Sequence, residues 1–238
     1  MKKLLILLFS LLISFNSYGE TGCSEKDDRE DFIKSTIYFQ DRGGLFYLPN
    51  QSEPYSGENL CVYKDASGQY YLKGTIKNGK RHGKTTYWNH KGQIEDEITY
   101  KDGRSVGNIK HVYHSNGQKM SEVNFKDGKY DGKLTAWYEG GQNAMEGNYK
   151  DGKEDGKFTT WYENGQIDME GNLKDGKLDG KQTKWYENGQ IMFEANVKDN
   201  KRDDGKVTIW YENGQIKAEV NFKDGVCISG DCDYIEDW

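Results

Sequence analysis

The second half of the chain contains stretches of about eight residues in which apolar and polar side chains alternate. In the three clearest copies the stretch follows an Asn-Gly pair and ends in Lys-Asp-Gly or Lys-Asp-Asn. A period of two with one apolar side is typical of a half-buried β-strand. We therefore predict strands that share one apolar face, with Glu and Asn on the other. The predicted apolar face consists of Ile167, Met169, Gly171 and Leu173, then Ile191, Phe193, Ala195 and Val197, then Ile216, Ala218, Val220 and Phe222.

The strands belong to a repeat of about 24 residues that occurs in about seven copies between residues 57 and 225. The turn glycines of six copies are 25, 24, 24, 24 and 25 residues apart, and Gly68 extends the series back by 24. A fixed period of this length indicates a repeat architecture in which each unit stacks on its neighbours. The six turn glycines are Gly92, Gly117, Gly141, Gly165, Gly189 and Gly214.

Each copy predicts a β-hairpin, because Asn-Gly between two alternating stretches favours a tight turn. Two loops are possible. A two-residue Asn-Gly loop pairs Tyr162 with Ile167 and places Trp161 on the Glu/Asn face. A three-residue Glu-Asn-Gly loop, with Gly165 in the left-handed conformation, pairs Trp161 with Ile167 instead. We favour the second, since it gathers the largest apolar groups on one face. Either loop predicts a column of Trp137, Trp161, Trp185 and Trp210 on one side and of Tyr138, Tyr162, Tyr186 and Tyr211 on the other.

Lys-Asp-Gly-Lys-x-Asp-Gly then connects one hairpin to the next, and short connections make neighbouring strands antiparallel. The predicted fold is all-β: an elongated single-layer antiparallel sheet of about seven stacked hairpins over residues 57–225. Residues 20–56 and 226–238 are predicted to cap its two ends, because exposed sheet edges favour aggregation. A short helix is predicted within Asp28–Gln40.

The N-terminus resembles a secretory signal peptide. Lys2 and Lys3 precede an apolar stretch, Leu4–Phe15, that is too short to span a bilayer. Small residues near Gly19 predict cleavage after it, so that residues 1–19 are the signal peptide and the chain is exported to a periplasmic or extracellular location. The alternative is a lipoprotein anchored at Cys23.

The chain has four cysteines, all outside the central repeats. An even number can pair completely in an oxidising compartment. Cys227 and Cys232 are close enough in sequence to close a small loop, and Cys23 would then join Cys61. Four cysteines allow three connectivities, so the sequence leaves the pairing open.

The net charge of the chain limits the classes of partner that it is expected to bind. The formal net charge is −6, and it becomes −8 without Lys2 and Lys3. An acidic chain is poorly suited to nucleic acid or anionic lipid, and it is compatible with a basic protein partner.

No grouping of residues predicts catalysis, a cofactor or a metal. A surface role is predicted for all four histidines, and His111-x-x-His114 on a strand would place the two rings on opposite faces. The repeated Asp-Gly-Lys-x-Asp-Gly lacks the acidic density of a calcium loop, and turn chemistry explains it. We therefore expect a protein that is not an enzyme. The four histidines are His82, His90, His111 and His114.

Two columns are candidates for binding. A glutamate recurs at one position of each repeat, which suggests either an acidic ladder for a basic partner or a solvated face partly neutralised by lysines. The Trp column suggests either structural packing or a platform for a protein or glycan. The candidate binding residues are Trp137, Trp161, Trp185, Trp210, Glu146, Glu170, Glu194 and Glu219.

The sequence Gly-Lys-x-x-x-Trp-Tyr-Glu-Asn-Gly-Gln-Ile, followed by Glu-Gly-Asn-x-Lys-Asp-Gly-Lys-x-Asp-Gly, resembles the MORN-repeat variant family. The copies at 83–128 depart from it. The resemblance implies an elongated antiparallel sheet used for binding, and bacterial members are often labelled YwqK-like antitoxins. The expected function is an exported protein-binding module of the antitoxin or immunity type, with a basic, toxin-like protein as the expected partner. The alternative is an envelope structural protein that binds glycan or lipid through the aromatic face.

Overall fold

The structure is a computed structural model that describes residues 33–35, 39–63 and 69–235. The predicted signal peptide, Cys23 and the turn of the first copy lie outside these residues. Twenty of the strands form one antiparallel sheet, and β2 and β3 pair separately. The elements are β1 (Ile33–Ser35), β2 (Gln40–Asp41), β3 (Phe46–Tyr47), β4 (Gly57–Tyr63), β5 (Tyr70–Lys77), β6 (Lys80–Arg81), β7 (Gly83–Trp88), β8 (Ile94–Lys101), β9 (Arg104–Tyr113), β10 (Lys119–Lys126), β11 (Lys129–Trp137), β12 (Asn143–Lys150), β13 (Lys153–Glu154), β14 (Gly156–Trp161), β15 (Ile167–Lys174), β16 (Lys177–Leu178), β17 (Gly180–Trp185), β18 (Ile191–Lys198), β19 (Lys201–Arg202), β20 (Gly205–Trp210), β21 (Ile216–Lys223), β22 (Val226–Gly230) and the 3-10 helix η1 (Cys232–Ile235).

Strand pairing follows chain order from β4 to β22, so the sheet is a continuous meander of hairpins. At its first edge, β1 pairs antiparallel with β4. The predicted fold class, an open antiparallel sheet of stacked hairpins, is confirmed. The order of the strands in the sheet follows from the short turns, because a short turn lets a strand pair only with its neighbours in sequence.

The hairpin turn has the three-residue loop that the sequence favoured. The backbone N–H of Tyr162 donates to the carbonyl of Gln166 at 2.8 Å, and that of Gly165 donates to the carbonyl of Tyr162 at 2.9 Å. Gly165 has a φ of 85°, which glycine adopts without steric cost. Trp161 pairs with Ile167, as predicted.

The predicted apolar face is wrong at one position of every copy, because a β-bulge follows the turn. Trp161 pairs with Ile167 and Thr160 with Met169, so Asp168 is an extra residue on β15. An extra residue reverses the alternation of faces. Met169 therefore lies with Thr160 on one face, and Ile167 lies with Trp161 on the other. The residues at the bulge position are Tyr71, Glu95, Met120, Ala144, Asp168, Met192 and Lys217.

We call the two sides of the sheet the apolar face and the ion-pair face. The apolar face carries the side chain of Phe158, which pairs with Gly171, and the counterparts of these two residues in other copies. At its C-terminal end, Phe193, Ala195 and Cys227 pack against a buried hydrophobic cluster. Burying these apolar side chains stabilises this end of the sheet. The buried cluster consists of Val207, Ile209, Ala218, Val220 and Phe222.

The second turn of each repeat, at the opposite ends of the strands, is a two-residue Asp-Gly loop. Asp175 and Gly176 have φ values of 51° and 81°, and Lys174 pairs with Lys177 across them. Two consecutive positive φ values define the hairpin turn that Asp-Gly favours. This confirms that turn chemistry accounts for the repeated Asp-Gly pairs.

The predicted helix within Asp28–Gln40 is wrong where the structure describes it, because Ile33–Ser35 is a strand and Gln40 begins another. Further along, Phe46 is buried and its backbone N–H donates to the carbonyl of Gly79 at 2.8 Å. Residues 39–56 thus pack against the turn that follows β5. β1 begins at Ile33, a β-branched residue, which favours a strand over a helix.

At the C-terminal edge, Cys227 and Cys232 form a disulfide with Cα atoms 6.0 Å apart. This pairing was predicted and is confirmed. Cys61 is also disulfide-bonded. Cys23, the partner predicted for it, lies outside the described residues. Disulfides persist in oxidising compartments, and their presence here fits such an environment.

Candidate binding surface

The predicted binding residues lie together on the ion-pair face, in two neighbouring rows. Trp161 is two residues from Thr159 on β14, and Thr159 pairs with Glu170 on β15, so all three side chains share one face. The Thr159 hydroxyl lies 3.3 Å from the Glu170 carboxylate. The Trp column therefore stands on the Glu/Asn face, although the three-residue loop is present. The bulge is the physical reason, since it separates Trp161 from Met169.

Each predicted glutamate of the ladder forms an ion pair with the lysine of the Gly-Lys sequence on the preceding strand. Lys157 Nζ lies 2.8 Å from Glu170 Oε1, with the two side chains 62% and 31% exposed. Exposed ion pairs of this kind contribute at most about 1 kcal/mol each. The ladder is thus a double row of alternating charge. The other pairs are Lys133–Glu146 at 2.8 Å, Lys181–Glu194 at 2.7 Å, Lys206–Glu219 at 2.5 Å, and Lys84–Glu97.

The tryptophans of the column are half-buried and line the ion-pair face beside this double row. Neighbouring strands lie about 4.8 Å apart, so tryptophans two strands apart are separated by roughly 10 Å. Lys119 lies with its ammonium 5.6 Å from the centre of the Trp137 ring and also pairs with Glu122 at 2.7 Å. The face therefore offers aromatic rings and charges together, at a regular interval.

The tyrosine that follows each Trp links one copy to the next. The Tyr162 hydroxyl donates to the carbonyl of Trp185 at 2.8 Å. Tyr138 and Tyr186 make the same bond to Trp161 and Trp210, at 2.6 and 2.9 Å. These hydrogen bonds between successive copies therefore fix the position of each tyrosine side chain.

The turn asparagine adds a second link. Asn164 Oδ1 accepts from the backbone N–H of Gln166 at 2.9 Å, and its Nδ2 donates to the carbonyl of Glu187 in the next turn at 2.8 Å. Asn188 donates in the same way to Glu212 at 2.8 Å. The Tyr-Glu-Asn-Gly-Gln sequence thus closes its own turn and also holds the neighbouring turn. We call these Tyr and Asn bonds the turn staples.

The stapling tyrosines are poor acids. Burial and the neighbouring Asp168 carboxylate raise the pKa of Tyr162 well above its usual value. Burial and nearby carboxylates likewise raise the pKa of Tyr138 and of Tyr186. A hydroxyl that stays protonated keeps donating to its carbonyl at all physiological pH values.

The ion-pair face changes in the copy whose turn is at Gly117. Four positions differ there from the regular copies, so that Ile, His, Tyr and Lys replace Lys, Thr, Trp and Ile. We call these four residues the irregular patch. It consists of Ile109, His111, Tyr113 and Lys119, at the positions of Lys157, Thr159, Trp161 and Ile167.

His111 is buried, with its side chain 6% exposed, so the predicted surface role is wrong for this histidine. Its Nε2 lies 3.5 Å from Glu97, and its Nδ1 lies 3.5 Å from Glu122. The imidazole therefore lies between two carboxylates on neighbouring strands. His114 occupies the position of the stapling tyrosine, and its Nε2 lies 2.8 Å from the carbonyl oxygen of Trp137. Because a carbonyl oxygen can only accept a hydrogen bond, Nε2 is protonated and donates.

Two carboxyl groups near His111 are shifted in opposite directions. Burial acts to raise the pKa of Glu97, but the hydrogen bond and charge of Lys84, together with His111, hold it below its usual value. Burial dominates at Asp96 and raises its pKa, although a hydrogen bond from Asn108 and the charge of Lys110 oppose the shift. Asp96 is the counterpart of Met169 and lies on the apolar face, so of the two carboxyl groups only Glu97 borders the irregular patch.

The ladder ion pairs and the burial of His111 both have a signal in the sequence. Lysine and glutamate of each ladder pair are always 13 residues apart, and the hairpin register places such residues side by side. Aligning the copies also shows that His111 stands where the regular copies have threonine, a buried position in all of them.

Within the described residues, no three His, Cys, Asp or Glu side chains are grouped so as to hold a metal ion. In the same part of the chain, no helix is long and apolar enough to cross a membrane.

Five segments of the chain match the family described as the MORN repeat variant. They are residues 81–102, 112–127, 154–175, 178–199 and 203–224. The copy at 129–150 is not among them, yet Tyr138 staples it to the next copy as in the matched ones. No match was found among curated proteins. These five segments are similar to the MORN repeat variant, and repeats of this kind suggest a repeat-based binding module.

Proposed function

We propose that the chain is an exported, non-enzymatic module that binds one discrete protein partner, in the manner of an antitoxin or immunity protein. The proposal rests on the irregular patch. A sheet of equal copies offers many equal sites, whereas a discrete partner needs one place that differs from the others. The four altered positions of the patch lie on one face of one copy.

The chemistry of the patch suits a protein surface with basic groups. Glu97 and Glu122 flank the patch, and Glu97 is held ionised by its surroundings. Tyr113 offers a half-buried aromatic ring where regular copies have Trp. Aromatic anchors beside charged groups are typical of residues that dominate protein interfaces. Electrostatic complementarity would then select a basic partner and speed its association.

The test begins with capture. The tagged mature chain, purified from its native envelope, should retain one stoichiometric protein that mass spectrometry identifies. A restored variant carrying Ile109→Lys, His111→Thr, Tyr113→Trp and Lys119→Ile has the regular sequence at the patch. It should fold and lose the partner.

A matched control changes the same four positions of a regular copy to the residues of the patch. This variant carries Lys157→Ile, Thr159→His, Trp161→Tyr and Ile167→Lys. It should keep the partner. Equal loss of binding in both variants would show that the whole face, rather than the patch, is recognised.

The second candidate is an envelope protein that binds glycan or lipid through the Trp column. One observation favours it: the tryptophans recur at an interval of roughly 10 Å along the sheet, which suits a linear polymer. Retention of the chain on peptidoglycan or liposomes would support this function. Trp161→Phe and Trp185→Phe should then weaken retention while circular dichroism shows an unchanged sheet. Retention unaffected by these changes would exclude the column.

A further inference from the structure

Three turns of the sheet have the same seven-residue sequence, Trp-Tyr-Glu-Asn-Gly-Gln-Ile. They are residues 161–167, 185–191 and 210–216. An Asn-Gly pair is chemically labile, because glycine has no side chain to hinder attack of its backbone nitrogen on the asparagine amide. Since the three local sequences are identical, a difference in reactivity between these turns must come from the structure around them.

The hydrogen bonds inside the three turns are the same. In each turn the glycine N–H donates to the tyrosine carbonyl at 2.9 Å. The asparagine Oδ1 accepts from the backbone N–H of the glutamine at 2.9, 2.9 and 3.0 Å. The backbone nitrogen that would attack is therefore held alike in all three.

The turn staples distinguish two of the turns from the third. Asn164 Nδ2 donates to the carbonyl of Glu187 at 2.8 Å, and Asn188 makes the same bond to the next copy at 2.8 Å. Asn213 belongs to the last copy. In the described part of the chain, its Nδ2 reaches the side chain of Gln215 at 3.3 Å and no carbonyl of a following turn. The side-chain amide of Asn213 is thus less restrained than the other two.

The tyrosine beside each asparagine shows the same difference. Tyr162 and Tyr186 donate to carbonyls of the next copy at 2.8 and 2.9 Å. Tyr211 has no following copy to donate to among the described residues, and it is 46% exposed, with Ile216 of the same turn 55% exposed. The last turn is therefore stapled on one side, whereas the other two are stapled on both.

Deamidation of Asn213 needs no reactant other than water. The backbone nitrogen of Gly214 bonds to Cγ of Asn213, and the bond from Cγ to Nδ2 breaks. The proton of the glycine nitrogen leaves with the amide group as ammonia, and a cyclic imide remains. Water then opens one of the two bonds from the glycine nitrogen to the imide carbonyl carbons, which gives aspartate or isoaspartate. Nothing is oxidised or reduced.

A staple slows the first step. The side chain must rotate to bring Cγ over the glycine nitrogen, and a stapled amide has to leave its carbonyl before it can rotate. Reaction rates depend steeply on how often the reacting atoms reach such a near-attack geometry. One neutral hydrogen bond changes an equilibrium by about 2- to 10-fold, so a stapled asparagine should reach this geometry less often by about that factor.

We propose that Asn213 is a site of spontaneous deamidation, and that the staples suppress the same reaction at Asn164 and Asn188. Conversion of Asn164 to aspartate would remove a donor and place a carboxylate oxygen against the carbonyl of Glu187. The stacking of the two copies would weaken. At Asn213 the new carboxylate meets no such carbonyl within the described residues. The staples therefore protect the asparagines on which they depend, and the modification is confined to the end of the sheet.

Two further Asn-Gly pairs of the chain are also restrained. Asn116 Nδ2 donates to the carbonyl of Glu139 at 2.9 Å, like the other staples. Asn78 precedes Gly79, which is buried and donates its N–H to the carbonyl of Tyr55 at 2.7 Å. Both pairs should react more slowly than Asn213.

The test follows deamidation of the full chain at neutral pH and physiological temperature over days, in water enriched in heavy oxygen. The label marks the residues that react during the incubation. Trypsin places the three turns on different peptides, residues 158–174, 185–198 and 207–217, in which mass spectrometry measures each conversion. In the folded chain, Asn213 should react about 2- to 10-fold faster than Asn164 and Asn188. In urea the three rates should become equal.

Two sets of variants test the role of the staple. Tyr162→Phe removes the other bond of an interior turn, so it should speed deamidation of Asn164 and leave the rate at Asn213 unchanged. Asn213→Asp imitates one product and should leave the midpoint of thermal unfolding nearly unchanged, whereas Asn164→Asp should lower it. Equal rates at the three asparagines of the folded chain would overturn the proposal. So would a faster rate at Asn213 that persists in urea, or equal destabilisation by the two Asp variants.

Discussion

Removing one turn staple tests how the copies are held together. The Tyr162 hydroxyl donates to the carbonyl of Trp185 at 2.8 Å, and Tyr162→Phe deletes this donor while keeping the ring. A typical neutral hydrogen bond contributes about 0.5–1.5 kcal/mol net, and an acceptor left unpaired in a half-buried place raises the loss towards about 3 kcal/mol. We expect a loss of about 1–2 kcal/mol.

For a chain of this size, each kcal/mol lowers the midpoint of thermal unfolding by about 2–4 °C. Differential scanning calorimetry should therefore show a decrease of about 2–8 °C for Tyr162→Phe. Hydrogen exchange should show the loss concentrated between the two copies that the staple joins, because repeat proteins are stabilised by nearest-neighbour interfaces. Tyr211→Phe makes the same chemical change where no carbonyl is bound, and should cost less than about 0.5 kcal/mol. Equal losses of unfolding free energy in Tyr162→Phe and Tyr211→Phe would refute the staple hydrogen bond as the source of stability.

Three further changes have expected outcomes. Because the folded-state pKa of Tyr162 is raised, stability should fall as the pH rises above the ordinary tyrosine pKa of about 10, and Tyr162→Phe should reduce this alkaline loss in denaturant titrations. The folded-state pKa of Glu97 is lowered, so its stabilisation should be present above the ordinary glutamate pKa of about 4.3 and disappear in more acidic solution, a pH dependence that Glu97→Gln should flatten. A Cβ at Gly171 would meet the buried Gln182 amide, so Gly171→Ala should cost about 1–3 kcal/mol in urea unfolding, whereas Gly147→Ala, with only ordinary contacts, should be nearly neutral.

The repeat and its turns were predictable because their residues have few conformational alternatives. Asn-Gly and Asp-Gly pairs favour positive φ, and the structure places Gly165, Asp175 and Gly176 there. Short turns then require successive strands to be antiparallel neighbours. The fold class follows from these two facts with little contribution from any other part of the sequence.

The bulge was not predictable from the same pattern, because its residue has no common type. Asp168 occupies the position in one copy, Ala144 in another and Lys217 in the last. The alternation of Ile167, Met169 and Gly171 looks unbroken in sequence, although the strand changes face between the first two. A single inserted residue thus moved the Trp column to the ion-pair face.

Only part of the irregular patch could be predicted from the sequence. The sequence shows that copies within 83–128 depart from the regular repeat. Burial of His111 between Glu97 and Glu122 depends on the register of three strands, which single positions do not reveal. Aligning the copies on their turn glycines would have placed His111 at a buried threonine position.

The number of partners bound per chain tests the proposed function most directly. Native mass spectrometry of the complex captured from the envelope measures it, with the wild-type chain beside the restored variant Ile109→Lys, His111→Thr, Tyr113→Trp and Lys119→Ile. A discrete site at the irregular patch predicts one partner molecule on the wild-type chain and none on the restored variant. Several partners per chain, or one that remains on the restored variant, would contradict the account and assign binding to the repeating face.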